Sequence, residues 1–193
     1  MMESPYQYVR ELPQREITDI QRTLMEAYLK LSYTKPRSSI RVKELCSAAY
    51  VARSTFYVHY ESLAELLEHI ENNLINHLLK LNDALVYEDR KIESMAFYGE
   101  TLAYLNTHKR WFHSFLVQEP NLTFIQKWKD AIKLHLWERI RCKGLASPNE
   151  ALILEMVAAE AIAGYTFWLS HPYETNEEDI KKLLIYTLGM LET

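Results

Sequence analysis

Between positions 41 and 60 the chain reads RVKELCSAAYVARSTFYVHY. Cations, hydroxyls and an imidazole crowd into this short stretch, interleaved with apolar residues. Guanidinium and ammonium groups attract phosphate, while hydroxyls and a neutral imidazole donate single hydrogen bonds that fix position without adding charge. Arg, Ser and Thr at the start of a helix are also the groups that reach base edges. This is the chemistry of holding a polyanion.

The apolar residues say which elements would present these groups. Val42, Leu45 and Ala49 fall on one side of a helix over Val42–Ala49, and the small Cys46 and Ala48 allow a close crossing. A second helix over Arg53–His59 turns Phe56 and Tyr60, four apart, inward. Its remaining positions carry Arg53, Ser54, Tyr57 and His59. Two such helices around a tight turn form a helix-turn-helix, whose second helix can enter a DNA major groove.

The run Val51–Tyr60, followed by Glu61 and Ser62, resembles the DNA-binding domain of the TetR family of bacterial transcription regulators. That family reads approximately V-S-R-G-T-L-Y-R-H-F across its turn and recognition helix. Val51, Arg53, Thr55, Tyr57, His59 and Tyr60 fall in register with it. The resemblance implies phosphate contacts from Tyr57 and His59. It puts Arg53, Ser54 and Thr55 at the groove and leaves Arg41 and Lys43 to grip the backbone. Four positions depart from the pattern. Tyr50 replaces the turn Gly, Ala52 the capping Ser, Arg41 the Thr that opens the preceding helix, and Leu63 a Lys. A left-handed turn costs a non-Gly residue of order 1 kcal/mol, and a missing cap costs roughly as much.

The net charge of −4 argues against a uniformly basic surface. Its distribution is uneven: positions 34–60 hold Lys35, Arg37, Arg41, Lys43 and Arg53 against Glu44 alone. A locally basic end on an acidic body fits a nucleic-acid footprint confined to that end. Four Gly and six Pro in 193 residues favour long helices over turn-rich β structure. Two cysteines imply no disulfide framework and fit a cytoplasmic protein. The N-terminus lacks the order of a signal peptide. Ala151–Leu169 is apolar but interrupted by Glu155 and Glu160, which reads as a buried helix rather than a membrane span. No metal-spaced His/Cys cluster, phosphate loop or nucleophile elbow occurs, so no catalytic site, metal or cofactor is predicted.

The remainder is all-α. The pattern predicts a flexible arm over 1–13, a DNA-binding domain over 14–61 and an effector-binding and dimerisation domain over 62–193. Helices are expected at about Gln14–Leu31, Ser62–Val86, Arg90–Thr107, Lys109–Gln118, Leu122–Lys143, Pro148–Ser170 and Asn176–Glu192. Capping signals stand at Ser62–Glu65, Ser147–Glu150 and Thr175–Glu178. The body is rich in aromatics, and their spacing resembles the C-terminal domain of the DhaS-like branch of the family. Phe97, Tyr104, Phe115, Trp128 and Phe167 are the candidates to line a pocket for a small apolar or aromatic effector. The last two helices carry more apolar surface than one side can bury, which predicts a homodimer through Ala159, Ala163, Ile180, Leu184 and Leu188. The expected function is a homodimeric regulator on a near-palindromic operator in double-stranded DNA. The alternative is an adaptor of the same fold acting through protein partners.

Overall fold

A computed structural model describes residues 3–88, 95–143 and 148–190. Among them there are nine α-helices and no strand. Three short helices lead: α1 (Asp19–Ser32), α2 (Val42–Ala49) and α3 (Arg53–His59). The long α4 (Leu63–Glu88) follows, then α5 (Met95–Thr107), α6 (Lys109–His113), α7 (Leu122–Lys143), α8 (Glu150–Ser170) and α9 (Glu177–Met190).

Helix α1 starts five residues after the expected Gln14, because Thr18 and Gln21 form a reciprocal capping box there. At α4, Ser62 Oγ accepts the Glu65 N–H at 3.2 Å, as its spacing predicts. Glu65 reaches one residue further back than expected, to the Glu61 N–H at 2.7 Å. The cap expected at Thr175 falls on Asn176, whose Oδ1 accepts the Asp179 N–H while the Asp179 carboxylate accepts the Asn176 N–H. Ser147, the cap expected for α8, lies outside the described residues. The stretch expected as one helix over Lys109–Gln118 changes to a π-helical turn at Ser114–Gln118.

The arm predicted over 1–13 is not free where it is described. Residues Gln7–Glu11 form a 3-10 turn laid across α4 and α7. Val9 is fully buried. Arg10 bridges Asp83 of α4 and Glu138 of α7, with nitrogen–oxygen distances of 2.7 and 2.8 Å. The Tyr8 hydroxyl donates to Asp130 of α7 at 2.5 Å. Composition suggested fraying; one apolar anchor and complementary charges on two different helices hold the segment down instead.

One continuous core runs from Leu24, Leu45 and Phe56 at the front, along Leu66, Ile70 and Leu74 of α4, to Phe112, Phe124, Trp128 and Trp168 behind. Among the described residues, buried charged groups enter it in matched sets. Glu71 of α4 accepts from Lys127 at 2.8 Å and from Asn121 at 2.7 Å. Lys127 also donates to Asn72 at 2.9 Å, so these buried groups have partners. By length and composition α8 could cross a membrane. One of its sides is packed, with Leu154, Ala158, Ala161, Tyr165 and Trp168 buried against its neighbours.

Candidate nucleic-acid interface

Helix α2 ends in a Schellman-type turn. The Val51 N–H donates to the Cys46 carbonyl at 2.9 Å and the Tyr50 N–H to the Ser47 carbonyl at 3.3 Å. This closure puts Tyr50 in the left-handed region, with φ 56° and ψ 36°. The departure from Gly at Tyr50 therefore leaves the turn geometry intact. Ala52 precedes α3 with no side-chain cap, as its methyl group dictates.

Phe56 and Tyr60 are buried, with ring centroids 5.8 Å apart. Their burial sets the roll of α3 about its axis and so decides what faces outward. Arg53, Ser54, Tyr57 and Val58 are exposed, while Thr55 and His59 are half-buried. Arg53 and Tyr57 are one helical turn apart on that open side. A second anchor was not visible in the sequence. The Tyr60 hydroxyl and His69 Nδ1 of α4 share a hydrogen bond at 2.8 Å. It ties the end of α3 to α4. Burial pushes the Tyr60 hydroxyl up to about 12 and pulls the His69 imidazole below its ordinary value.

Arg41 and Lys43 are also exposed. The Arg41 guanidinium donates to the Ser38 carbonyl at 2.9 Å, and the Arg41 N–H is accepted by Glu44 at 3.0 Å. Two of the five cations counted in this segment are otherwise engaged. Lys35 pairs with Glu44 at 2.6 Å, which holds that carboxylate below its usual range. Arg37 turns away from this face altogether, with its side chain only 9 % exposed against the body. The exposed cations of the face are therefore Arg41, Lys43 and Arg53, fewer than the linear charge count suggests.

The body places the other candidates as follows. Tyr104, Phe112, Trp128 and Tyr165 run as one aromatic chain through α5, α6, α7 and α8, with successive centroids 5.9, 5.2 and 5.3 Å apart. Phe115 joins it through Phe124 at 4.9 Å. Tyr104, Phe115 and Trp128 are thus brought together, but as packed side chains. Phe167 is not with them: it is 45 % exposed on the outer side of α8, stacked on His171. The side chain of Phe97 lies outside those described, as does that of Leu188.

On the outer side of α8, Leu152, Met156, Ala159, Ala163 and Phe167 are exposed in sequence at helical spacing. Leu183 and Tyr186 of α9 are exposed at 60 % and 64 %. Ile180 and Leu184, expected at the dimer interface, are instead buried in the chain's own core. The wide apolar stripe of α9 is split, with its i, i+4 pair facing inward and Leu183 and Tyr186 outward.

Neither a family sequence model nor a curated protein matches the chain. Solved structures do. A Syntrophomonas wolfei protein assigned to the TetR family of transcriptional regulators superposes with a TM-score of 0.71 at 10 % identity, covering 91 % of this chain and 96 % of the other. The fold is TetR-like. A TetR transcriptional regulator from Streptococcus agalactiae gives 0.68 at 21 % identity, covering 89 % and 94 %. The dihydroxyacetone kinase operon activator DhaS gives 0.58 at 18 % identity, covering 90 % and 94 %. In this fold the short α1–α3 stand in front, the long α4 follows and α5–α9 form the larger helical body.

Proposed function

We propose that this chain is a TetR-type transcription regulator that binds operator DNA as a homodimer and responds to a small apolar or aromatic effector in its body. The observation that carries the reading is the outward face of α3. Arg53, Ser54 and Tyr57 are exposed on α3, and Arg41 and Lys43 are exposed at the start of α2, while Phe56 and Tyr60 are buried and lock α3 from behind. Such a face has positive charge and hydroxyl donors for phosphates and an Arg for a base edge.

The exposed α8–α9 stripe supports the homodimer. Two copies sharing it about a two-fold axis would hold their recognition helices at one separation, each reading half of a near-palindrome. The aromatic chain from Tyr104 to Tyr165 and the nearby Phe115 support the effector site. A ligand that wedges between those rings must separate helices α5 to α8, and it shifts DNA affinity only by binding the two states unequally. The reading is of a non-enzymatic, cytoplasmic protein.

Binding of the chain to DNA from upstream of its own gene, measured by fluorescence anisotropy at low salt, tests this. Tight binding that weakens with rising salt is expected, about fivefold weaker for Tyr57→Phe, which loses one neutral donor to a phosphate. Arg53→Ala should lose more and relax sequence preference. No binding at low salt would favour the adaptor reading.

A further inference from the structure

The turn after α2 accounts for the left-handed backbone at Tyr50 but not for the choice of a tyrosine there. Tyr50 is in the left-handed region at φ 56°, the single positive-φ non-Gly residue among those described. Its side chain is also 97 % exposed, so the ring gains no packing that would offset the strain. Gly would make the same turn hydrogen bonds without the Cβ clash. A large aromatic held in a strained conformation and presented to solvent is a group whose contacts lie outside the chain.

Its surroundings identify the partner. Tyr50 precedes Ala52, which opens the recognition helix, so it stands beside the helix N-terminus and the exposed Arg53 and Ser54. Exposed Lys43 and Arg41 lie on the preceding helix and at its start. A partner that meets this end meets cations first and therefore carries negative charge. Tyr offers such a partner a flat apolar ring and one neutral donor at its tip. Duplex DNA presents both complements on its backbone: the deoxyribose face for the ring and the phosphate oxygen for the hydroxyl.

Resting on the reading of this face as a DNA interface, we propose that Tyr50 is itself a backbone-contact residue, with its ring against a deoxyribose and its hydroxyl donating to a phosphate at the groove edge. The substitution that strains the turn would then add a contact to the interface. Because sugar and phosphate recur at every step, the contact contributes to any duplex and carries no sequence preference.

The full chain, Tyr50→Gly and Arg53→Ala are compared for affinity to a mixed-sequence duplex at low salt and for thermal unfolding. Tyr50→Gly is expected to bind about fivefold or more weakly while its melting temperature holds or rises, since the strain is gone. Stability and affinity then move in opposite senses, which a merely structural residue cannot produce. Parental affinity in Tyr50→Gly, with Arg53→Ala weakened, overturns the contact and leaves the DNA interface standing. A fall in melting temperature together with affinity also overturns it, by showing that the ring supports the fold. If the parent itself fails to bind duplex DNA, the interface reading fails and the Tyr50 contact with it.

Discussion

The Arg37 guanidinium lies 5.3 Å from the centre of the Phe115 ring, so a cation from the segment between α1 and α2 is seated on the aromatic body. It donates to the Ser114 carbonyl at 3.4 Å and to the Glu119 carbonyl, while the backbone N–H of Arg37 is accepted by the Glu119 carboxylate at 2.9 Å. Around it, Gln118 donates to the Ser32 carbonyl at 2.8 Å, and the Tyr33 hydroxyl donates to the Arg110 carbonyl at 2.9 Å. The π-helical turn is therefore the surface on which the end of α1 rests.

Arg37→Ala removes a nearly buried guanidinium together with its charge-assisted hydrogen bonds to the Ser114 and Glu119 carbonyls. It is expected to cost about 2–3 kcal/mol in urea unfolding. It should also loosen the front helices, with faster amide exchange in α1–α2 than in α8. Equal exchange in both regions would show that this joint does not hold the two ends together.

The N-terminal turn should contribute stability through Val9 more than through its charges. Val9→Ala, at a fully buried position, is expected to cost about 1–2 kcal/mol. Arg10→Ala removes pairs whose side chains are 29–37 % exposed, so solvent screening limits its cost to about 1 kcal/mol. Denaturant midpoints at low and high salt separate the two, because the Arg10 cost should shrink with salt and the Val9 cost should not.

Ala159→Glu tests assembly without disturbing the protomer, because Ala159 is exposed in the single chain. Helical content by circular dichroism should be unchanged. Light scattering should shift from a dimer towards the 22.8 kDa of one chain, since a carboxylate buried at a two-fold contact meets its own copy without a cation. A parental chain already monomeric at micromolar concentration would remove the dimer and the operator geometry built on it.

Acid should loosen the contact between α3 and α4 before it protonates carboxylates. Burial lowers the His69 imidazole below its ordinary value, so between the two values the unfolded chain binds more protons than the folded one. Stability then rises with pH through that window. It is complete above about 6.5, the ordinary imidazole value, and is lost as pH falls towards the folded value. His77 and His113 are lowered by burial in the same sense. Melting temperature should be flat above about pH 7 and decline below about 6.5, less steeply in His69→Asn. A flat profile from about pH 5 to 7 would contradict the burial argument.

The helical fold was legible because its signals are local. Apolar spacing marked α2, α3 and α7 to the residue, and Ser62 announced the start of α4. The outward residues of α3 followed once Phe56 and Tyr60 were assigned inward, since 3.6-residue periodicity leaves the other side no choice. What required the tertiary structure was every relation between residues far apart in sequence. Nothing near Arg37 says that its guanidinium pairs with Glu119 and its backbone N–H donates to the same carboxylate, 82 residues away. Nothing near Val9 says that α4 and α7 together offer it a seat. The stripe on α9 contains enough apolar residues to face two ways, and only packing of the body decided that Ile180 and Leu184 go inward while Leu183 and Tyr186 stay out. Periodicity determines which residues share a face of an element. The partner that covers that face is determined by the rest of the chain, through burial and charge pairing that no local window contains.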